Sequence, residues 1–205
     1  RLLVAHNGLE FLNMSQRLAL SIDLERCTGC KSCEAACKAE HGLSAGERRN
    51  RVLWLTPSES GDASRLDFLP LMCQHCERPA CLRACPVAPA AIARDPKTGI
   101  VSIDESRCVG CGECVKACPY GAMGFDAIGQ HAVKCDLCID RRAAGEPTTA
   151  CASVCPTRAI TFGERDTLIA NAADSERAVL DQDAFALSPG TVYLTRPGKD
   201  VLDIA

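Results

Sequence analysis

Short apolar runs alternate along the chain with turns and with closely spaced cysteines. Two of these runs, at residues 91–94 and 100–103, flank the segment D-P-K-T-G at 95–99, which has the composition of a hairpin turn. A second pair of runs, at residues 122–125 and 131–133, lies equally close together. The pattern therefore predicts two hairpins of short antiparallel strands.

Two further apolar runs, at residues 18–22 and 159–162, stand at the ends of the cysteine-containing region. An internal repeat relates the first of them to one of the hairpins, because the motif S-I-D-x-x-R-C at residues 21–27 reappears at residues 102–108. In the second copy the strand has a hairpin partner. By the same logic, the repeat predicts that the runs at 18–22 and 159–162 pair with each other.

Two segments fall outside this arrangement. Residues 38–72 are expected to form a long polar loop, with a basic segment at 48–51 and one apolar run at 52–55. The chain after Gly163 holds no cysteine, and residues 168–180 are a candidate short helix. Surface loops often carry binding residues, so both segments can serve as docking surface for a partner or as plain solvated surface.

These patterns predict an α+β fold of two interleaved ferredoxin-like units related by a pseudo-two-fold repeat, with small antiparallel sheets, short helices and long loops. The expected divisions are an N-terminal extension at 1–17, a cysteine domain at 18–163 and a C-terminal docking tail at 164–205. Within the domain, residues 71–125 form a contiguous unit, 18–40 plus 131–163 form a split unit, and 38–72 are an inserted loop.

Composition explains what has to hold such a fold together. The chain has 16 cysteines among 205 residues but only 4% aromatic residues, so it has little material for an ordinary apolar core. A cysteine share this high indicates either a disulfide framework or a metal protein. If metal centres replace the core, their binding energy is folding energy, and the metal-free chain is expected to be largely unfolded.

The cysteines fall into four groups of four, and none is left over. Proline follows the last cysteine of every group except the first. The groups are C-x2-C-x2-C-x3-C at Cys27, Cys30, Cys33 and Cys37; C-x2-C-x4-C-x3-C at Cys73, Cys76, Cys81 and Cys85; C-x2-C-x2-C-x3-C at Cys108, Cys111, Cys114 and Cys118; and C-x2-C-x12-C-x3-C at Cys135, Cys138, Cys151 and Cys155.

Thiolates suit iron–sulfur clusters, zinc and copper(I), so the spacing has to discriminate. In two-cluster ferredoxins, a C-x2-C-x2-C-x3-C-P run gives three ligands to one cluster and its fourth cysteine to the other. Structural zinc sites typically use two C-x-x-C halves, and disulfide frameworks belong to short secreted chains. The groups therefore predict iron–sulfur clusters whose ligands are crossed between neighbouring groups.

Four further side chains stand within or beside these groups. His75 lies inside a group that already offers four thiols, so a surface position or one behind the ligands is expected. Tyr120 can shield a cluster edge or simply pack. Lys134 and Arg141 can offset the negative charge of a cluster or lie on a solvated face.

Charge and hydropathy exclude several other classes. The formal net charge is −3 and no basic stripe is present, which argues against nucleic-acid binding. No apolar run approaches the roughly 20 residues of a membrane helix, and the first residues do not have the pattern of a signal peptide. Paired catalytic carboxylates and a glycine-rich phosphate loop are also missing, so the chain is expected to be no enzyme by itself.

Two local motifs carry a resemblance to a known family. The second group has the form C-x2-C-x2-P-x-C-x3-C-P, and Lys134 opens K-C-D-x-C in the fourth. Over about residues 17–163 the chain resembles the iron–sulfur subunits of the dimethyl sulfoxide reductase family. The resemblance implies four [4Fe–4S] clusters, held by Cys27, Cys30, Cys33 and Cys155; by Cys37, Cys135, Cys138 and Cys151; by Cys73, Cys76, Cys81 and Cys118; and by Cys85, Cys108, Cys111 and Cys114.

The same resemblance implies a function and partners. The chain would relay single electrons between a large molybdenum or tungsten bis-pterin catalytic subunit and a membrane-anchor, quinone, cytochrome or soluble partner. The alternatives are an iron–sulfur subunit of a hydrogenase or tungsten aldehyde oxidoreductase complex, and a free polyferredoxin. The cytoplasmic and periplasmic sides of the membrane both stay open as locations, with the cytoplasmic side favoured, and membrane contact is expected only through partner subunits.

Overall fold

The computed structural model describes residues 16–55 and 67–198, which form an α+β fold of small sheets and short helices. The strands are β1 Leu18–Asp23, β2 Asn50–Leu55, β3 Asp67–Met72, β4 Ile92–Arg94, β5 Val101–Ile103, β6 Gly124–Asp126, β7 His131–Val133, β8 Ile160–Glu164, β9 Ala178–Val179 and β10 Val192–Thr195. The α-helices are α1 Ser32–His41, α2 Ala80–Arg83, α3 Glu113–Ala117, α4 Ile139–Ala143, α5 Ala150–Ser153 and α6 Arg165–Asp174, and a 3-10 turn covers Glu105–Arg107.

The three strand pairings expected from the sequence are confirmed. Strands β4 and β5 form one antiparallel pair and β6 and β7 another. The Asp95 carboxylate closes the first of these hairpins by accepting the backbone N–H groups of Lys97 and Thr98 at 2.7 and 2.9 Å. Strands β1 and β8 are also antiparallel, with Leu18 opposite Glu164 and Ile22 opposite Ile160. This last pairing joins the segment before the first cysteine group to the segment after the fourth.

The expectation of a long polar loop over residues 38–72 is wrong for much of that segment. Helix α1 continues to His41, and β2 and β3 form an antiparallel pair in register from Asn50 opposite Met72 to Leu55 opposite Asp67. The pair is stable in this place because apolar side chains such as Val52 and Leu69 are buried against the core. The Asn50 side-chain amide also donates to the Cys33 carbonyl at 3.1 Å, which attaches the pair to the first cysteine group.

The expectation that residues after Gly163 form a separate tail is also wrong up to Thr195. Helix α6 covers Arg165–Asp174 and so begins and ends earlier than residues 168–180. The Glu164 carboxylate caps it, because this side chain accepts the backbone N–H groups of the first turn. Strand β10 then pairs in parallel with β1, and the four-stranded sheet has the order β8-β1-β10-β9.

Buried side chains form two main clusters that divide the cysteine groups between them. The larger cluster packs Leu20, Ile22 and Tyr193 together with cysteines of groups one and four. The smaller cluster packs Ile92 and Val101 with cysteines of groups two and three. Within residues 16–55 and 67–198, no helix has the length and apolarity needed to span a bilayer.

Candidate metal centres

All sixteen cysteines are free thiols. Most of them are buried or half-buried, and Cys30 and Cys111 are the exposed ones. Free thiols collected inside a fold rather than bonded in pairs are the donor set that soft metals require. The structure therefore agrees with metal ligation and not with a disulfide framework.

One cavity brings together four thiols from two different groups. It is lined by Cys73, Cys76 and Cys81 of group two and by Cys118, the last cysteine of group three. Burial and then the three neighbouring thiols raise the pKa of Cys76 to about 12. Thiols this close cannot all ionise without a compensating cation, so the cavity is suited to a bound metal and not to free thiolates.

Thiols of groups one and four also lie close to one another. Burial and the neighbouring Cys155 raise the pKa of Cys27, although a backbone hydrogen bond from Gly29 opposes them. Burial raises the pKa of Cys37 to about 12, with further increases from Cys151 and Cys138. The last cysteine of each group thus lies beside cysteines of the other group.

The fourth set of thiols is the least closely defined. Burial and then Cys108 and Cys111 raise the pKa of Cys114, so these three lie together. Burial of Cys85 is outweighed by hydrogen bonds from backbone N–H groups after Pro86, which lower its pKa. The inclusion of Cys85 in this set rests on the sequence pattern and not on a described contact with the other three.

Backbone N–H groups are directed at the sulfur atoms inside the cysteine loops. The amides of His75, Leu137 and Ala159 donate to the sulfurs of Cys73, Cys135 and Cys155 at 3.4, 3.5 and 3.2 Å. His75 and Leu137 have positive φ angles of 43° and 57°, which turn their amides inwards. Successive N–H groups in this conformation form a concave site for negative charge. The loops are therefore shaped for anionic sulfur ligands.

Two glycines of the group-three loop have the same left-handed backbone conformation but differ in the space around them. Gly110 and Gly112 have φ angles of 68° and 72°. A Cβ atom added to Gly110 would lie 2.5 Å from the Gln130 carbonyl oxygen, whereas one added to Gly112 would meet nothing within 4 Å. Gly110 is needed for space as well as for its φ angle.

We expect Gly110→Ala to destabilise the protein by about 3 kcal/mol, because a strained φ and a backbone clash act together. Gly112→Ala, the matched control, should cost about 1 kcal/mol because only the φ angle is strained. Thermal unfolding of both variants, with metal content measured beside it, checks the difference. Equal losses in the two variants would mean that the contact with Gln130 has no energetic effect.

Two charged or polar side chains that the sequence left open are buried. Lys134 has 3% of its surface exposed and donates to the carbonyl oxygens of Val101 and Cys135, so the solvated interpretation is wrong for it. His75 is 1% exposed, which excludes the surface position and leaves the one behind the ligands. Its Nδ1 accepts the Val101 N–H at 3.0 Å. Neither placement has a local sequence signal, because both depend on β5 packing against other segments.

Arg141 and Tyr120 keep more ordinary roles. Arg141 is half-buried and pairs with Glu40 and Glu146, each at 3.0 Å. The Tyr120 hydroxyl donates to the Gln182 carbonyl at 3.3 Å, while its ring packs edge-on against Phe185. Tyr120 also lines the cavity of the Cys118 thiol, so it both packs and covers that cavity.

A charged cluster beside group four was missed by the sequence analysis. His41 lies 3.8 Å from the Cys138 sulfur and 3.7 Å from the Asp136 carboxylate, which Arg49 also binds at 2.8 Å. Arg49 is therefore turned inwards, and it does not belong to an exposed basic docking segment. No sequence pattern links these residues, because Arg49 and Asp136 are 87 positions apart.

Comparisons with known proteins agree with this donor set. A family model described as a 4Fe-4S dicluster domain matches residues 64–165, and one described as a 4Fe-4S binding domain matches residues 19–39. The thiosulfate reductase electron transfer subunit PhsB of Salmonella typhi is 37% identical over 155 residues, covering 75% of this chain and 79% of the relative. The B subunit of the anaerobic dimethyl sulfoxide reductase of Escherichia coli is 36% identical over 162 residues, covering 76% and 77%.

Proposed function

Because the chain belongs to the 4Fe–4S electron-transfer subunits of the dimethyl sulfoxide reductase family, we propose that it carries four [4Fe–4S] clusters and catalyses no reaction itself. It relays single electrons between a molybdenum or tungsten bis-pterin catalytic subunit and a membrane or soluble redox partner. Contact with a membrane runs through partner subunits.

Four sets of thiols are the proposed ligands. The buried or half-buried positions of most of these thiols, the raised pKa values of thiols such as Cys37 and Cys76, and the inward-facing amides fit a group that supplies positively charged iron and sulfide. Set one is Cys27, Cys30, Cys33 and Cys155; set two is Cys37, Cys135, Cys138 and Cys151; set three is Cys73, Cys76, Cys81 and Cys118; set four is Cys85, Cys108, Cys111 and Cys114.

The cavity of set three is the observation that carries this proposal. Its thiols come from groups two and three, so the last cysteine of group three lies with three thiols of group two. Crossed ligation of this kind is the rule in two-cluster ferredoxins. The proximity of Cys155 to Cys27, and of Cys37 to Cys138 and Cys151, supports the same rule for sets one and two.

Proximity between sets supports a relay in the order one, two, three, four. Sets three and four share the smaller buried cluster, which contains Cys81 and Cys118 together with Cys108 and Cys114. Cys33 and Cys151 are close enough for the charge of one to raise the pKa of the other, which links sets one and two. Cys135 is related in the same way to Cys73, which links sets two and three. Each cluster, when bound, accepts and releases one electron. The protein's part is to hold neighbouring sites close enough for transfer.

The two outer sets are also the accessible ones. The exposed thiols Cys30 and Cys111 belong to sets one and four. Beside set one, the exposed Trp54 ring stacks edge-on against Phe68, which packs on Gly29. Beside set four, Val109 and Ile128 are 68% and 81% exposed. Exposed apolar surface at both ends of the relay suits partners that dock at each end.

We expect about sixteen iron and about sixteen acid-labile sulfide per chain in protein prepared without oxygen, following four clusters of four. Metal and sulfide analysis of the purified chain measures this, and co-purification identifies the partner. Stoichiometric zinc with little iron would contradict the proposed cofactor. A nickel protein as partner would instead redirect the proposal to a hydrogenase complex.

A further inference from the structure

A buried lysine lies where the two halves of the proposed relay meet. Lys134 donates to the carbonyl of Cys135, a set-two residue, at 2.6 Å, and to the carbonyl of Val101. Val101 in turn lines the cavity of set three, beside Cys73 and Cys81. The ammonium group therefore bridges the backbone around two neighbouring sites.

The field of this lysine reaches thiols on both sides of the junction. Cys81 of set three and Cys135 of set two both lie close enough to Lys134 to interact with its charge. Positive charge in this place favours negative charge gained at either site. The arrangement places one cation beside two sites that each gain an electron in turn.

His75 completes the junction without adding charge. Its Nδ1 accepts the Val101 N–H at 3.0 Å, so the ring proton lies on Nε2, which has no hydrogen-bond partner among the described residues. A ring whose Nδ1 accepts a hydrogen bond carries no proton on that atom, so the imidazole is neutral. Two arginines also lie near His75, and each donates to a backbone carbonyl. Arg17 donates to the Ser188 carbonyl at 2.6 Å, and Arg142 donates to the Leu137 carbonyl at 2.8 Å.

We propose that Lys134 is a redox-positioning residue. Its positive charge raises the reduction potentials of the clusters of both set two and set three, so the difference in potential between the two clusters stays small. This inference rests on the proposed ligand sets. One electron leaves one site and enters its neighbour, so one cluster is oxidised as the other is reduced.

The test is a redox titration of the loaded chain followed by electron paramagnetic resonance. Lys134→Met and Lys134→Gln remove the charge, and Lys134→Arg keeps it. In both neutral variants, the reduction potentials of sets two and three are expected to fall by about 59 mV, which corresponds to a tenfold change in a one-electron equilibrium. Lys134→Arg should stay close to the parent protein. Signals are assigned with Cys151→Ser for set two and Cys118→Ser for set three.

Lys97→Met is the matched control, because it removes one exposed lysine from the hairpin turn after β4. It should leave all four potentials unchanged. Unchanged potentials in fully loaded Lys134→Gln would overturn the inference. Loss of iron from both neutral variants would overturn it too, because the lysine would then hold the loops rather than set potentials. If the proposed clusters themselves were absent, their electron paramagnetic resonance signals would already be missing from the parent protein.

Discussion

A chain that ends at Asp166 is expected to lose its cooperative fold and most of its iron. The truncation removes β10, the parallel neighbour of β1, and most of helix α6. It also removes hydrogen bonds that hold the group-two loop and the strand β3 before it. Gly190 N–H binds the Gln74 carbonyl at 2.6 Å, Thr191 Oγ1 the Cys73 carbonyl at 3.0 Å and the Tyr193 hydroxyl the Pro70 carbonyl at 2.8 Å.

The size of this effect follows from burial. The side chains of Val192, Tyr193 and Leu194 are all at least nine-tenths buried, and burial of each large apolar side chain contributes about 1.5–3 kcal/mol. The total stability of a domain is only about 5–15 kcal/mol, so the remaining sheet cannot tolerate the loss. Thermal unfolding and iron content after purification without oxygen measure both consequences.

A chain that ends at Gly198 is the control for this truncation, because it keeps every described element. It should unfold at the same temperature as the full chain and hold the same iron. If the chain ending at Asp166 also kept full iron and the same transition, β10 would have no part in the cluster domain.

Cys118→Ser is expected to abolish the same electron paramagnetic resonance signal as Cys76→Ser, and not the signal lost in Cys114→Ser. Cys118 and Cys76 line one cavity although they belong to different groups. Loss of one thiolate leaves one iron of the buried cluster without its protein ligand. That cluster should therefore be missing or should retain only three irons. Iron analysis of the three variants quantifies the loss.

Cys114→Ser serves as the comparison in the same chain segment, since Cys114 and Cys118 are both in group three. Uncrossed ligation would make the Cys118 and Cys114 variants lose the same signal. That result would contradict the proposed sets while leaving the presence of clusters intact.

The sequence predicted those parts of the fold whose signals are local or repeated. Both short hairpins follow from apolar runs around turn residues, and the repeat before Cys27 and Cys108 led to the pairing of β1 with β8. The cysteine spacings likewise indicated ligands crossed between groups. These inferences needed only pattern and periodicity, whereas the assignment of Cys118 to the thiols of group two came from the family resemblance.

The remaining features depend on contacts between distant residues. The apolar run at residues 192–194 is short, and nothing local indicates that it pairs with β1, about 170 residues earlier along the chain. Arg49 looked like part of an exposed basic segment until the structure paired it with Asp136. A buried lysine such as Lys134 is rare unless its charge is paired or hydrogen-bonded, so sequence alone could not choose between its two interpretations.

The position of β1 in its sheet has a consequence for how the protein is made. This strand leaves the ribosome early, yet both its neighbours, β8 and β10, are synthesised much later. Until they arrive, Leu20 and Ile22, which are fully buried in the finished fold, have no cover. Residues 71–125 contain every thiol of proposed sets three and four, so that pair can be loaded with iron while synthesis continues. Sets one and two must wait for Cys151 and Cys155, and during this delay the nascent chain is most exposed to aggregation and to oxygen.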